Sequence, residues 1–110
     1  MFKAMRQRHR YLAVKVDSEH SFEEQDIVNA VWKAVVQLFG EYGASQAGLF
    51  LVKYNKQRNQ AVLRCTLKAL PMVRASIASV TRIKDKPVAF HVLRVSGTLK
   101  GILRKTSTSE

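Results

Sequence analysis

The sequence GLFLVKYNKQRNQAVLRCTL, residues 48–67, contains two apolar stretches separated by a polar one. Residues 48–54 and 60–67 are rich in apolar and β-forming side chains, whereas residues 55–59 are wholly polar. A polar connection between two strand-forming stretches is typical of a β-hairpin. The pattern therefore predicts two neighbouring antiparallel strands in the middle of the chain.

A strand and a helix are predicted before this hairpin. Residues 10–16 (RYLAVKV) place apolar side chains at positions 12, 14 and 16, which is the period of a half-buried strand. Ser21 and Glu24 have the spacing of a capping box, and acidic residues in the first turn complement the helix dipole. We expect the first helix to begin near Phe22 and to end at Gly40, which suits a left-handed cap.

A second helix and a last strand are predicted after the hairpin. Pro71 suits the first turn of a helix, and Val73, Ile77 and Val80 then recur on one face. Residues 87–95 (PVAFHVLRV) have the composition of a strand and follow a turn at residues 84–86. The order βαββαβ predicts an α+β fold, a ferredoxin-like or RNA-recognition-motif-like sandwich. Such a fold has a four-stranded antiparallel sheet with its helices on one face.

The length of 110 residues fits one domain, which we expect to span residues 1–105. It includes a basic N-terminal arm at residues 1–9 and a basic C-terminal extension at residues 97–105. The extension lacks an apolar face beyond Leu99, Ile102 and Leu103, and residues 106–110 are expected to be a disordered tail. The second face of the sheet should then be open. It would display Tyr11, Ala13, Lys15, Arg64 and Thr66.

The charge balance points to a polyanionic partner. The chain has 19 Lys and Arg against 8 Asp and Glu, a formal net charge of +11. No carboxylate occurs between residues 42 and 84, whereas surfaces adapted only for solubility usually mix both signs. We therefore favour RNA or DNA as a partner. A single cysteine, Cys65, and the lack of a membrane span or secretory signal predict a cytoplasmic protein.

The sequence contains no recognisable catalytic or metal-binding arrangement. Its three histidines are far apart, and none has the ligand spacing of a metal site. Acylphosphatase-like enzymes share the element order, but here the first strand leads into an acidic loop, residues 17–20, that would repel phosphate. An RNA-recognition motif would carry aromatic rings on strand three, and residues 60–67 have none. Contacts of Arg and Lys with the RNA backbone are therefore favoured over base stacking.

The first helix is too apolar for a helix that packs on one side only. Its apolar side chains form two neighbouring stripes that together span roughly 200°, about twice the usual arc. The first stripe contains Ile27, Val31, Ala34, Val35 and Leu38, and the second contains Val28, Trp32, Val36 and Phe39. The second stripe either packs on helix two or anchors a partner protein, in which case Val28, Trp32 and Val36 are the candidate contacts.

Five short pieces of the chain, in one order and spacing, resemble the protein component 2 family of archaeal ribonuclease P. This family is the counterpart of a small subunit of the eukaryotic ribonuclease P and MRP enzymes. The pieces are Arg10-Tyr11-Leu12, LFGEYG at 38–43, LVKY at 51–54, VLRC at 62–65 and RVSGTLK at 94–100. The resemblance covers about residues 8–104, and the run SGTLK at 96–100 is its most specific element.

The resemblance implies a non-catalytic subunit of a ribonucleoprotein that removes the 5′ leader from precursor tRNA. The RNA would be the catalyst with Mg²⁺ at the cleavage site, and the protein itself would bind no cofactor. The implied partners are ribonuclease P RNA, precursor tRNA within the complex and protein component 3, together with possible self-association in that complex and no membrane. The alternative is a general RNA-binding or ribosome-associated module of the same fold.

The expected RNA contacts are basic and small polar residues in the arm, on the open sheet face and around the end of the chain. They are Arg6, Arg8, Arg10, Lys15, Arg64, Arg94, Ser96, Gly97, Thr98, Lys100, Arg104 and Lys105. For Ser96, Gly97 and Thr98 the sequence leaves a second interpretation open, namely a turn that ends the last strand.

Overall fold

The computed structural model describes the backbone of residues 8–108 and the side chains of residues 8–103. Within this part, the long strands and the first two helices follow the predicted order βαββαβ. The elements are β1 (His9–Asp17), α1 (Glu24–Ala47), β2 (Phe50–Asn55), β3 (Gln60–Thr66), α2 (Leu70–Ser79), β4 (Arg82–Ile83), β5 (Lys86–Pro87), β6 (Ala89–Ser96) and α3 (Leu99–Thr108). The main sheet has the strand order β2-β3-β1-β6, and all its pairs are antiparallel. The predicted fold class is therefore confirmed.

One face of the sheet, the α1/α2-side face, forms the main hydrophobic core. Leu12, Val14 and Val16 of β1 and Leu63 and Cys65 of β3 point to this face and are buried. The helices contribute a matching set of buried side chains, which includes Ile27, Val31, Val35, Val73 and Ile77. Alternation along the strands thus gives the sheet one continuous apolar layer under two helices.

Helix α1 begins two residues later than the sequence predicted. Glu23 is the N-cap, and its backbone N–H donates to Asp26 Oδ2 at 3.0 Å, so the capping box uses Glu23 and Asp26 instead of Ser21 and Glu24. Phe22 explains the shift, because its side chain is buried in the core and the chain enters the helix only after this contact.

Gly40 interrupts α1 without ending it. Its φ of +81° is a value that favours glycine, but its ψ of 169° is not that of a left-handed cap, and helical backbone resumes after this kink and continues to Ala47. Ala44 and Ala47 are fully buried in the extra segment, so packing stabilises two further turns. Gly48, with a φ of +59°, is the final left-handed cap.

The turn predicted at residues 84–86 is the tip of a separate small hairpin. Strands β4 and β5 pair with each other, and Lys84 and Asp85 between them have φ angles of +52° and +66°. Two successive residues with positive φ are the mark of a type I′ turn, which matches the twist of a two-residue hairpin. The last strand of the main sheet therefore begins after this hairpin, at Ala89.

The second face of the sheet, the α3-side face, is not open as the sequence predicted. Helix α3 packs across it through Leu99, Ile102 and Leu103, and Ile102 is fully buried against Ala13 and Val62. The spacing i, i+3, i+4 places the three apolar side chains of α3 on one side, and the small Ala13 side chain leaves room for them. The helix includes residues 106–108, for which the sequence predicted disorder.

Thr66, which the sequence also placed on the open face, is buried instead. Its side chain is buried, its hydroxyl donates to the Gln46 carbonyl at 3.4 Å, and it accepts from the Ala69 N–H at 3.3 Å. These contacts join the end of α1 to the start of α2.

None of the helices in residues 8–108 combines the length and the apolar character needed to cross a bilayer.

Candidate nucleic-acid interface

The strand register brings three of the predicted basic contacts onto the α3-side face. Tyr11 lies opposite Arg64, Ala13 lies opposite Arg94, and Lys15 lies between Gln60 and His91. Residues directly opposite each other in an antiparallel pair point to the same side of the sheet. Lys15 and Arg64 therefore share one face, as the sequence predicted, and the register adds Arg94, which was expected near the end of the chain.

Strand β2 adds two residues to this face that the sequence analysis missed. Phe50 lies opposite Arg64, and Lys53 lies opposite Val62, whose side chain packs under α3. A strict alternation would place positions 50 and 53 on opposite faces, but the register shifts between Leu51 and Lys53. This bulge aligns both residues with the α3-side face, and no pattern in the single sequence reveals it.

Arg64 and Phe50 form a cation–π pair. The guanidinium carbon of Arg64 lies 5.2 Å from the centroid of the Phe50 ring, and Phe50 remains 54% exposed. The Arg64 Nε atom is buried and has no hydrogen-bond partner among the described residues. The pair therefore combines an exposed ring with a cation whose donors are incompletely satisfied.

The arm residues lie elsewhere. Arg10 is opposite Cys65, a core residue of the other face, and its Nη1 atom donates to the His9 carbonyl at 2.9 Å. Arg8 is exposed and lines a cleft of about 390 Å³ with Lys68 and others. The structure therefore does not group Arg8 and Arg10 with the cations of the α3-side face, and Arg6 lies outside the described residues.

Ser96 and Thr98 stabilise the start of α3. The Ser96 hydroxyl accepts from the Thr98 N–H at 3.2 Å, and the Thr98 hydroxyl accepts from the Gly101 N–H at 3.1 Å. A Cβ atom on Gly101 would lie 2.8 Å from Ser96 Oγ, whereas one on Gly97 would meet Arg10 Nη1 at an ordinary 3.5 Å. These contacts favour the strand-ending turn that the sequence left open, and contact of this segment with RNA stays a prediction.

The basic residues of α3 are only partly described. Lys100 is exposed. Helix α3 contains Arg104 and Lys105, but their side chains lie outside the described part of the chain. Their predicted contacts with RNA therefore stay predictions.

The second apolar stripe of α1 is only partly covered. Trp32 is 42% exposed and Phe39 is 44% exposed, while Val28 and Val36 are half-buried. Trp32 also lines a groove beside β4 and β5 whose other side chains include Lys33, Arg82 and Lys84. The stripe thus leaves apolar surface accessible, and its role in binding a partner protein stays a prediction.

The acidic residues at the start of α1 serve the fold. A hydrogen bond from the Glu23 N–H and the Lys84 ammonium, 3.1 Å from Asp26 Oδ1, lower the pKa of Asp26. Glu23 Oε2 lies 2.6 Å from Lys56 Nζ, and this hydrogen bond raises the pKa of Lys56. Among residues 8–103, no three His, Cys, Asp or Glu side chains are grouped as a metal site.

Comparison with known proteins identifies one family. A family model described as the Rpp14/Pop5 family matches residues 10–106. The chain is 34% identical to ribonuclease P protein component 2 of Pyrococcus furiosus over 101 residues, which is 92% of this chain and 84% of that protein. It is also 34% identical to the protein of the same name from Methanocaldococcus jannaschii over 96 residues, covering 87% and 70% of the two chains.

A structural relative supports the same architecture. One chain in the cryo-EM structure of yeast ribonuclease MRP superimposes with a TM-score of 0.71, over 96% of this chain and 95% of that one. The sequence identity in this comparison is 12%, so the likeness concerns the fold.

Proposed function

The chain belongs to the Rpp14/Pop5 family, and we propose that, as a protein subunit of ribonuclease P, it supports the catalytic RNA that removes the 5′ leader of precursor tRNA. The observation that carries this role is the grouping of Lys15, Lys53, Arg64 and Arg94 on the α3-side face. In a chain of net charge +11, this face offers phosphates several cations on a rigid sheet.

The physical effect of such a face is charge neutralisation. A folded catalytic RNA brings phosphates close together, and each Lys or Arg that binds a phosphate releases condensed counterions. The protein therefore replaces part of the Mg²⁺ that the RNA fold requires, while the Mg²⁺ at the cleavage site is held through the RNA. In this proposal, the protein supplies no catalytic group and binds no cofactor of its own.

The exposed stripe of α1 supports a second contact, with another protein subunit. Trp32 and Phe39 are large apolar side chains that water still reaches, and aromatic side chains are enriched where interfaces are strongest. We assign this surface to protein component 3, with self-association within the complex as the other candidate. Precursor tRNA is then met within the assembled particle, and the assembly acts in the cytoplasm.

The test of the RNA role removes charge from one face only. The variant Lys53→Gln, Arg64→Gln, Arg94→Gln should flatten the slope of log affinity against log salt for ribonuclease P RNA by about two to three units. A control with Lys33→Gln, Arg74→Gln, Lys86→Gln removes three exposed cations from other surfaces. Its slope should change by less than about one unit. Equal flattening in both variants would show that net charge, not this face, attracts the RNA.

Reconstituted cleavage of precursor tRNA separates this role from the general RNA-binding alternative. The face variant should cleave slowly at low Mg²⁺ and recover as Mg²⁺ rises, because the ion takes over neutralisation. Single substitutions of Glu23, Glu24, Asp26 and His91 should leave the rate at saturating Mg²⁺ within about tenfold, since losing a general acid or base commonly costs 10²-fold or more. A reconstituted particle that cleaves equally well without the chain would favour the general module.

A further inference from the structure

The β2 edge of the α3-side face is only partly covered, because Val52 packs against the cluster under α3 while Phe50 and Lys53 are exposed. The buried cluster under α3 is centred on Ala13, Val62 and Ile102. Phe50 lies on the edge strand of the sheet and stays 54% exposed. An aromatic ring on an edge strand has a neighbouring strand on one side only. Much of its apolar surface therefore stays in contact with water.

Arg64 lies over this ring and places a positive charge beside it. Its guanidinium carbon lies 5.2 Å from the ring centroid, and the buried Nε atom finds no acceptor within the described part of the chain. The guanidinium carbon of Arg64 lies over the Phe50 ring, and the ring is exposed enough for another flat group to stack on it.

The charges around this stack are complementary to a nucleotide. Arg64 lies opposite Phe50, and Lys53 lies farther along β2, so both charged residues near the ring are basic. No carboxylate occurs in residues 42–84. A nucleotide offers both a flat base and a phosphate. An unpaired base fits better than a duplex, because the bases of an A-form helix are already stacked on each other and do not expose their faces.

We propose that Phe50 and Arg64 bind one unpaired base of the RNA by stacking, at the β2 edge of the α3-side face. This proposal rests on the RNA-binding role and adds a base contact to it. The sequence favoured backbone contacts over base stacking because strand β3 has no aromatic residue. The ring comes instead from β2, where only the register places it beside Arg64.

The test changes the ring while keeping its apolar character. In the full chain, Phe50→Leu should weaken binding to ribonuclease P RNA by about five- to hundredfold, the loss measured when a stacking aromatic side chain is removed. Phe50→Trp should bind within about threefold of wild type, because it retains an aromatic plane. Tyr42→Leu is the matched control, since Tyr42 is 78% exposed on α1 and away from this face, and its affinity should be unchanged.

The salt dependence distinguishes stacking from phosphate binding. Phe50→Leu should lower the affinity with the slope of log affinity against log salt unchanged, whereas Arg64→Gln should lower the affinity and reduce the slope by about one unit. Ultraviolet crosslinking should attach the peptide that contains Phe50 to a nucleotide that is unpaired in the RNA. Urea unfolding of each variant verifies that the fold is retained.

The experiments distinguish failure of the RNA-binding role from failure of the stacking site. Wild-type chain without salt-dependent affinity for the RNA would overturn the RNA-binding role and the stacking site together. Full affinity in Phe50→Leu, with reduced affinity in Arg64→Gln, would overturn stacking alone. Weaker binding to protein component 3 with unchanged RNA affinity would make Phe50 a protein contact and would likewise overturn the proposal.

Discussion

The two faces of the sheet are built from neighbouring residues of the same strands, yet they have opposite properties. On β3, Leu63 is fully buried under α1 and α2, while the adjacent Val62 packs under α3 and Arg64 reaches the Phe50 ring. The α1/α2-side face is covered by two helices and a large apolar layer. The α3-side face has one short helix over a small cluster with cations around it. Stability is therefore concentrated on one face, which leaves the other free to carry charge.

The largest expected effect comes from the α1/α2-side face. Leu63→Ala should lower the free energy of unfolding by about 2–5 kcal/mol, because it removes buried methyl groups and leaves a cavity between two helices and the sheet. Ile102→Ala should cost less than about 2 kcal/mol, although Ile102 is equally buried, because α3 can separate from the sheet without opening the main core. Urea unfolding measures both values, and equal losses would remove the distinction between the faces.

Cys65 reports which face has opened. Burial in the main core raises the pKa of its thiol to about 11, and the thiolate is the form that reacts with alkylating reagents. In Leu63→Ala, labelling of Cys65 at pH 8 should accelerate by about 30-fold or more, which corresponds to 2 kcal/mol. In Ile102→Ala it should stay within about threefold of wild type. Fast labelling in the second variant would mean that α3 also holds the main core closed.

A smaller effect is expected where α3 begins. Thr98→Ala removes the hydroxyl that accepts from the Gly101 N–H, and loss of such a helix cap costs about 1 kcal/mol. The loss should be local, so amide exchange should accelerate in α3 and remain unchanged in α1. Thr81→Ala, at an exposed position outside the helices, is the control and should leave exchange in α3 unaltered. Uniform acceleration across the chain would contradict the separate behaviour of α3.

The smallest expected effect is a pH dependence at the start of α1. The pKa of Asp26 is below its usual 3.8, so the unfolded chain takes up this proton at a higher pH than the folded chain. The stabilisation is therefore complete above about pH 4 and is lost as the pH falls through the lowered value. Asp26→Asn should show a shallower decline of unfolding free energy with acid than wild type. Gln25→Ala, a control in the same turn that removes no titratable group, should decline as wild type does.

Several features of the fold were predictable from local patterns alone. The alternation in residues 10–16, the polar gap at residues 55–59 and the apolar spacing after Pro71 each predicted an element that the structure contains. The capping box was placed two residues too early, because the burial of Phe22 is a contact between distant parts of the chain. The helix was expected to end at Gly40 in a left-handed cap, but Gly40 forms a kink with a φ of +81° and a ψ of 169°, and the left-handed cap is Gly48, because the packing of Ala44 and Ala47 continues the helix.

The candidate interface was only partly predictable. Lys15, Arg64 and Arg94 were expected from their charge, and the register placed them on one face. Phe50 and Lys53 were missed because a bulge in β2 changes which side chains share a face. The docking of α3 was missed because three apolar residues are a weak signal until they meet Ala13 and Val62.

The amino-acid sequence by itself determined the order of the elements, the strong positive charge and the resemblance to a ribonuclease P subunit, because periodicity, composition and motif spacing are properties of the chain. Tertiary structure alone decided that α3 covers the second sheet face and that Phe50 stands beside Arg64 at its edge. Both outcomes depend on strand register and on the fit of side chains from distant segments. Neither quantity exists until the strands have paired.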